Sequence, residues 1–278
     1  MALPREFVVF DTETTGMPPG ARLLEIGALK VRGQHVVDRF EALVYPECPI
    51  PQAVIRIHGI QDRDVQDAET ADVVLPAFLK WAGKAPLVGH NVRFDATVLA
   101  AEAARYGMSL PDNPTLCTLK ASRRLLKRRS HALQSLVEEL GLPAAAHHRA
   151  LADAEHTLNL MFKMEMMFGK EFRTSSMGSG VALKAHVIDP PFPGPQTDIL
   201  QQAIEQGIPA QITYRLKSGS VFRTLVTPRL LYRSSRQGWM EALCHEAGFY
   251  KSYRLDRVLG ARAEPDAPPA SARRIQAI

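Results

Sequence analysis

The sequence predicts an α/β protein in which a mixed sheet flanked by helices is followed by a small β-barrel domain. Three observations carry this prediction. β-rich segments come first, helical segments and short apolar strands then alternate, and strand-like segments return after a stretch rich in Ser, Gly and Pro. The first two features are typical of a mixed sheet covered by helices. The third is typical of a small barrel.

The first domain is predicted to span residues 1–168. It opens with a short apolar strand at residues 7–10 and continues with β-rich segments on either side of a turn at Gly33. Apolar periodicity and terminal glycines predict the later elements. The predicted segments are strands at 7–10, 23–31, 36–44 and 86–89, and helices at 71–81, 94–106, 119–128, 132–140 and 150–168.

A second domain is predicted after a linker. Residues 169–197 contain SSMGSG and DPPFPGP, which is linker composition. Residues 198–262 have the pattern of a small barrel, and the Pro- and Ala-rich tail at 263–278 is expected to be disordered. The segments predicted in the second domain are a helix at 199–206 and strands at 211–214, 222–226, 239–244 and 250–255.

Composition limits the class of protein. With 278 residues, 46% hydrophobic and 23% charged, the chain has ordinary globular composition. No apolar run approaches the roughly 18 residues of a membrane span, and the first residues lack the pattern of a signal peptide. The three cysteines have no paired spacing, which argues against disulfides and structural zinc. We therefore expect a soluble cytoplasmic protein without membrane partners.

Positive charge is unevenly distributed along the chain. The formal net charge of +5 alone is a weak sign of a polyanionic partner. Residues 198–262 carry 10 Lys and Arg against 5 Asp and Glu, whereas residues 1–168 carry 19 against 20. The second domain therefore holds the excess, and we expect it to supply a surface that holds a polyanion.

Two acidic residues end the first predicted strand. Asp11 and Glu13 lie two residues apart, so both carboxylates lie on one face of the strand. Two such charges about 5 Å apart repel by roughly 3 kcal/mol at an effective dielectric constant near 20. A hard cation such as Mg²⁺ or Mn²⁺ offsets this repulsion. The alternative is a solvated strand end at which Asp11 caps a turn.

A third acid follows the strand predicted at residues 86–89. Asp95 falls in the first turn of the next helix, where an acid also complements the helix dipole. His90 and Asn91 form a polar pair directly after the strand, and open α/β sheets bind ligands at such strand ends. This pair favours a ligand site over a purely dipolar role for Asp95.

The last acid lies near several histidines. Asp153 falls on the helix at 150–168, and His148 lies on the loop before it. A histidine has an unperturbed pKa near 6.5, which suits the removal of a proton from an attacking water. The alternative for His148 is a surface histidine. His156 shares a helix face with Asp153, but no third soft ligand accompanies this pair, so His156 is interpreted as structural or exposed.

Three segments together resemble the motifs of a known family. F-D-T-E-T-T-G at 10–16, H-N-V-R-F-D at 90–95 and H-R-A-L-A-D at 148–153 resemble, in this order, the three motifs of the DEDDh exonucleases. That family includes the proofreading subunit of the bacterial replicative polymerase, oligoribonuclease and ribonuclease T. Further matches are Leu24–Gly27, Ile57–Ile60 and Cys117–Leu119. The resemblance covers about 155 residues and implies a ribonuclease H-like fold with a mixed five-stranded sheet.

The resemblance also implies roles for individual residues. It implies that two Mg²⁺ or Mn²⁺ ions are held by Asp11, Glu13, Asp95 and Asp153, and that His148, rather than His147, is the general base. Phosphodiester bonds would be hydrolysed from the 3′ end, with nucleoside 5′-monophosphates as products. The residues implied to hold the terminal nucleotide are Thr12, Thr14, His58, His90, Asn91 and Phe94. Core packing is the alternative for Phe94.

Residues 198–262 resemble a second family, the WYL domains, which are small Sm-like or SH3-like barrels. The matches are Ile212–Tyr214, Thr227–Pro228, Glu241–Ala242, Cys244–His245 and Tyr253–Val258. The chain departs from the family at its signature, because Gly238-Trp239-Met240 stands where Trp-Tyr-Leu is expected. The resemblance therefore implies the barrel but not the ligand pocket of the family.

Basic residues in both domains are candidates for contacts with a phosphate backbone. One set belongs to a basic run, from Lys120 to Arg129, on and just after a predicted helix, at a spacing that places much of it on one face. The other set lies in the second domain. A solvated charged face is the alternative for each set. The main candidates are Arg123, Arg124, Lys127, Arg229, Arg254 and Arg257.

These features together predict an exonuclease that acts on single-stranded 3′ ends of DNA in repair, proofreading or end trimming, with a replication or repair protein as a candidate partner. An exoribonuclease or a scavenger of short oligonucleotides is the alternative, because motif residues do not reveal contacts to the 2′-hydroxyl. A third hypothesis is an inert nuclease fold that serves as a nucleotide-sensing regulatory module. The complete set of four acids and one histidine argues against it.

Overall fold

The protein divides into two compact units. The computed structural model describes residues 3–143, 149–268, 270 and 274. The first unit comprises Met1–Pro46 and Ile50–Val187, and the second comprises Glu47–Pro49 and Ile188–Ile278. Within the described ranges, no helix is both long enough and apolar enough to cross a bilayer.

The first unit contains a mixed sheet covered by helices on both faces. Its described strands follow the order β3-β2-β1-β4-β5-β6. The elements are β1 (Glu6–Thr14), β2 (Leu23–Arg32), β3 (His35–Leu43), α1 (Gln52–His58), α2 (Asp62–Val65), α3 (Ala71–Ala82), β4 (Leu87–Gly89), α4 (Arg93–Arg105), β5 (Pro114–Cys117), α5 (Thr118–Leu125), α6 (Leu133–Glu139), α7 (Ala150–Phe168) and β6 (Val181–Ala182).

Strand β1 lies at the centre of this sheet. It pairs antiparallel with β2 and parallel with β4. A strand covered on both faces reads as a continuous apolar run rather than an alternating one. Accordingly, Val8 and Phe10 pack among core residues of α3 and α4, whereas Phe7 and Val9 pack among those of α7. The apolar segment that ends in Asp11 is thus anchored from both sides.

Residues 169–187, which composition predicts to be linker, pack in the first unit. Phe172, Met177 and Leu183 are buried in its core. Strand β6 pairs antiparallel with β5, so the described sheet has six strands rather than five. Composition is misleading here because a few apolar side chains among many Ser and Gly residues suffice to fix the segment. The boundary between the units lies near residue 188, within the range 169–197 in which the sequence places the linker, but the first part of that range belongs to the first unit.

The second unit contains a helix and a sheet of five antiparallel strands within the described residues. Its strands follow the order β10-β9-β8-β7-β11. Leu200 and Ala203 of the helix are buried in the same core as Ile212, Val226 and Met240 of the sheet. The elements are α8 (Pro195–Gln206), β7 (Ala210–Arg215), β8 (Val221–Ser234), β9 (Gln237–Cys244), β10 (Phe249–Arg254) and β11 (Val258–Ala263).

The second sheet differs from the prediction in two strands. Strand β8 continues well past Val226, because its register shifts between Pro228 and Leu230 and so accommodates a proline inside the strand. Strand β11 lies outside the predicted strands, and it pairs with β7 up to Ala263. The segment predicted as a disordered tail therefore begins with a paired residue.

Candidate active site and metal centre

Asp11 and Glu13 lie in the second half of β1. In the pairing with β2, Asp11 stands opposite Gly27 and Glu13 stands opposite Glu25. Side chains two apart on a strand point to the same face, so the two carboxylates project together. Because β1 and β4 are parallel, the residues that follow β4 reach the same edge of the sheet.

Strand β4 ends in a sharp turn that delivers Asp95 to this edge. Asn91 adopts a left-handed backbone conformation with φ of 68°, which asparagine tolerates better than most residues. Its carbonyl accepts a hydrogen bond from the Phe94 N–H at 2.8 Å, and Asp95 lies in the first turn of α4. The turn therefore starts the helix immediately beside the end of β1.

Helix α7 carries the fourth acid, Asp153, and packs against β2. A Cβ atom built on Gly27 would lie 2.0 Å from the backbone nitrogen of Leu151, so only glycine permits the helix to rest on the strand there. Asp153 lies in the first turn of α7. Since Gly27 pairs with Asp11, this contact brings Asp153 towards the carboxylates of β1.

Glu25 fixes the start of α7 on the sheet. This carboxylate is fully buried. It accepts a hydrogen bond of 2.9 Å from the N–H of Ala150, the first residue of the helix, and its two oxygens share the single Nε–H of Arg149, each at 3.1 Å from Nε. The free N–H groups and the dipole at a helix start favour such an anion. Glu25 therefore holds the helix that carries Asp153.

The carboxylates converge into one cluster. Single oxygens of Asp11, Glu13 and Asp153 all lie within 4.8 Å of one another. Asp95 is buried beside them, and its Oδ1 accepts hydrogen bonds from the Thr12 hydroxyl at 2.7 Å and from the Thr12 N–H at 3.1 Å. The structure thus brings together the four acids that the sequence indicates.

Burial and mutual repulsion dominate the electrostatics of the cluster, although the Arg149 guanidinium opposes them at Glu13. Burial raises the pKa of Asp11 well above its ordinary value, and repulsion from Asp95, Asp153 and Glu13 adds to the effect. Burial, followed by repulsion from Asp153, raises the pKa of Glu13 to about 8. Burial likewise raises the pKa of Asp95 to about 7, although the hydrogen bonds from Thr12 oppose the shift. Clustered carboxylates whose pKa values are raised by burial and mutual repulsion fit hard divalent cations, which prefer oxygen ligands.

Of the three histidines near Asp153 in the sequence, only His156 lies within the described residues. His148 and His147 lie outside the described residues, so the general-base assignment remains a prediction. His156 is buried, and its Nδ1 lies 3.2 Å from Oδ1 of Asp153. This contact constrains the orientation of the Asp153 carboxylate.

The residues implied to hold a nucleotide occupy different environments. The Thr14 hydroxyl donates to the carbonyl of Gly16, and Nδ1 of the buried His58 accepts from the N–H of Ile60. Phe94 is half-buried against the core beneath α4. The ring of His90 is held between the hydroxyl of Thr118 at 2.9 Å and the carbonyl of His131 at 2.8 Å. Asn91 is exposed at the turn.

The three basic residues of the first unit that are predicted to contact phosphate also lie in different environments. Arg123 is exposed and lines an open pocket. Arg124 donates to the carbonyl of Ser175 at 3.4 Å, and Lys127 is exposed. Arg123 is therefore the basic residue of these three that combines an exposed guanidinium with a concave surface.

In the second unit, Arg229 is largely buried. It pairs with Glu241 at 2.7 Å and with Glu47 at 2.6 Å, and its guanidinium stacks on the ring of Tyr250. These contacts occupy the group that would meet a phosphate. Arg254 pairs with the carboxylate of Asp256. Arg257 is half-buried on the turn before β11.

Sequence reasoning missed Glu25, Gly27 and Arg149 as parts of the site. The available signal was an acid followed two residues later by glycine within an otherwise apolar strand, LLEIGALKV. A charged residue in such a run requires a buried partner. The identity of that partner depends on the packing of α7 and cannot be read from spacing.

Comparison with known proteins agrees with this geometry. Residues 8–161 match the RNase T exonuclease family, which is more than half of the chain, and residues 195–263 match the WYL domain. The chain belongs to the exonuclease family. Both resemblances noted in the sequence are thereby confirmed, and the exonuclease unit and the WYL unit correspond to the two compact units of the structure.

Relatives of this exonuclease include a DNA polymerase and solved nucleases. The PolC-type DNA polymerase III of Caldanaerobacter subterraneus is 38% identical over 165 residues, which is 59% of this chain and 12% of the polymerase. Exonuclease X in complex with 5′ overhanging duplex DNA has a TM-score of 0.51 and 27% identity, covering 62% of this chain and 99% of that chain. Exonuclease I of E. coli in complex with a dA16 oligonucleotide shares the fold, with a TM-score of 0.52 and 17% identity over 86% of this chain and 55% of that chain.

Replacing Gly27 with alanine tests the contact between α7 and β2. The added methyl group meets helix backbone, so α7 must shift, and we expect the exonuclease unit to lose about 1–3 kcal/mol of stability. Mn²⁺ affinity should fall because Asp153 moves with the helix. Chemical denaturation and calorimetric titration measure the two effects. Gly260→Ala is the control, since its Cβ meets no atom within 4 Å. Wild-type stability and affinity in Gly27→Ala would refute the contact.

The raised carboxylate pKa values predict a pH-dependent stability in the absence of metal. The folded pKa values of Glu13, about 8, and Asp95, about 7, exceed their ordinary values of 4.5 and 3.8. These two carboxyl groups make their full contribution to the free energy of unfolding below their ordinary pKa values. The contribution is lost as pH rises through the folded pKa values of about 7 to about 8. In EDTA, unfolding free energy should therefore fall between about pH 5 and about pH 8.5, with a smaller fall in Glu13→Gln. Mn²⁺ should oppose the fall, and identical pH slopes for both proteins in EDTA would contradict the prediction.

Proposed function

We propose that the exonuclease unit is a 3′–5′ exonuclease of the DEDDh type that releases nucleoside 5′-monophosphates from single-stranded DNA ends. One observation carries the proposal: three carboxylates with oxygens within 4.8 Å of one another, with Asp95 buried beside them. The family match supports nuclease chemistry. The DNA-bound exonuclease X and the related DNA polymerase support DNA as substrate and a replication or repair protein as partner.

The acidic residues fit two Mg²⁺ or Mn²⁺ ions, which Asp11, Glu13, Asp95 and Asp153 would hold. When bound, such a pair supplies the positive charge that stabilises the attacking and leaving oxygens of a phosphodiester. Thr12 contributes by fixing one oxygen of Asp95 with two hydrogen bonds. Glu25 contributes through α7, because it keeps the first turn of that helix, and hence Asp153, at the edge of the sheet.

His148 would act as the general base. Its role is to remove the proton from the attacking water, for which an imidazole is suited near neutral pH. The support comes from the motif spacing and from its chain neighbours, since Arg149 and Ala150 are both bound by Glu25. His148 directly precedes these two residues in the sequence.

The WYL unit would supply additional contacts to the phosphate backbone of the substrate strand. Residues 198–262 carry 10 Lys and Arg against 5 Asp and Glu. Of the three candidates for phosphate contact in this unit, Arg257 is the one whose guanidinium forms no ion pair among the described residues. Contacts of this kind are independent of sequence and weaken with salt. The WYL unit would therefore change affinity for the strand but not the chemical step.

A nuclease assay with 5′-labelled strands tests the proposal. In Mg²⁺, a labelled single strand should shorten progressively from its 3′ end, and the released products should be 5′-monophosphates. Asp11→Asn should slow this reaction by at least about 100-fold, because the carboxylate cluster acts as a unit. Asp67→Asn is the control, since this exposed acid lies on the same unit. Label released directly as a mononucleotide, or near wild-type rates in Asp11→Asn, would contradict the proposal.

Two further arms of the same assay separate roles and substrates. His148→Ala should lower the rate by about 10² to 10⁴-fold while leaving Mn²⁺ affinity close to that of the wild type. Equal loss of rate and of Mn²⁺ affinity would make His148 a ligand instead of a base. A 5′-labelled RNA of the same sequence tests the exoribonuclease alternative, which requires faster digestion of RNA than of DNA.

A further inference from the structure

An open pocket of about 510 Å³ lies beside the proposed active site. It is formed where the turn after β4 meets α5 and the loop that follows α5. Its lining includes His90, Asn91, Leu119, Arg123, Arg129 and His131. Since His90 and Asn91 belong to the turn that delivers Asp95, the pocket and the carboxylates share one edge of the sheet.

Two unpaired positive charges line the pocket. Arg123 on α5 and Arg129 on the next loop are both exposed, and neither forms an ion pair with any residue in the described part of the chain. Their basic neighbours differ, because Arg128 pairs with Glu139 at 3.1 Å and Arg124 donates to the carbonyl of Ser175. Both Arg123 and Arg129 therefore present an available guanidinium to one concave surface.

Hydrogen bonds fix the part of the pocket lining formed by His90 and His131. One ring nitrogen of His90 lies 2.8 Å from the carbonyl of His131, and the other lies 2.9 Å from the hydroxyl of Thr118. The ring of His131 in turn lies 3.1 Å from the hydroxyl of Ser122 on α5. These contacts tie the loop carrying Arg129 to the turn after β4, so the pocket is preorganised for a ligand.

The chemistry of the pocket fits a phosphodiester. Guanidinium groups bind phosphate oxygens in a planar, often bidentate manner. Asn91 adds polar groups, and Leu119 adds an apolar surface for a sugar or base. An exonuclease that holds the terminal nucleotide at its carboxylates must also accommodate the strand that leads away on the 5′ side.

We infer that this pocket binds the backbone of the substrate strand on the 5′ side of the terminal nucleotide, with Arg123 and Arg129 on a phosphate. The inference rests on the proposed function, since it assigns the second contact of the same substrate. The contact recognises a feature common to every nucleotide and therefore confers no base specificity.

Kinetics on two substrates test the inference. The variant Arg123→Ala/Arg129→Ala should raise KM for a single-stranded oligonucleotide by about 10-fold or more and leave kcat nearly unchanged, because phosphate contacts position a strand without taking part in chemistry. Hydrolysis of the p-nitrophenyl ester of thymidine 5′-monophosphate should be unchanged, because that substrate has no second phosphate. Arg128→Ala is the matched control, since it removes the same charge one residue away from Arg129 and should affect neither substrate.

Binding in Ca²⁺ across a salt series provides an arm that does not depend on catalysis. The double variant should bind the oligonucleotide more weakly than Arg128→Ala does. Its salt slope on a single strand should be smaller by about 0.7 for each phosphate that the two arginines neutralise in the wild type. Thymidine 5′-monophosphate should bind the wild type and the double variant equally. A selective loss of mononucleotide binding would make the pocket a site for free phosphate monoesters and would overturn the inference.

The outcomes for the two proposals are distinguishable. If the wild type digests oligonucleotides and the double variant matches Arg128→Ala in KM, affinity and salt slope, the pocket inference is wrong and the proposed function stands. If the wild type hydrolyses neither substrate, the proposed function fails. In that case the Ca²⁺ arm still decides whether Arg123 and Arg129 bind a strand.

Discussion

The contact between α7 and β2 at Gly27 determines the geometry of the candidate active site. A side chain at this position would collide with the backbone of Leu151, so glycine is the residue that allows the helix to lie directly on the strand. Glu25, two residues earlier, binds the first N–H of the helix and the guanidinium of Arg149. Residues far apart in the sequence are thereby locked together, and Asp153 is brought to Asp11.

This arrangement stabilises the position of the helix at an electrostatic cost. The same packing that orders Asp153 concentrates buried negative charge, and it raises the pKa of Asp11, Glu13 and Asp95. A cation that binds only the folded state stabilises that state by mass action. The folded state is therefore least stable when the carboxylates bind no cation and most stable when they do. This is expected where function requires a locally destabilising arrangement of charges.

The sequence was informative where local chemistry decides structure, and less so where distant packing does. The apolar run before Asp11 and the turn before Asp95 could be predicted because strand periodicity and helix starts are local. The role of Glu25 could not, since its partners lie on α7 and just before it. Composition indicated a linker at residues 169–197, but Phe172 and Leu183 in the first part of this segment are buried in the core. Pro228 concealed the length of β8, and the pocket at Arg129 exists only because a loop meets the end of β4.

We propose that the four carboxylates form one site for two divalent cations that act on a phosphodiester. Anomalous diffraction from crystals grown with Mn²⁺ and thymidine 5′-monophosphate tests it most directly. We expect two manganese peaks about 3.5–4 Å apart, bound by oxygens of Asp11, Glu13, Asp95 and Asp153 and by the phosphate. Manganese bound elsewhere on the protein, with none at these carboxylates, would contradict it.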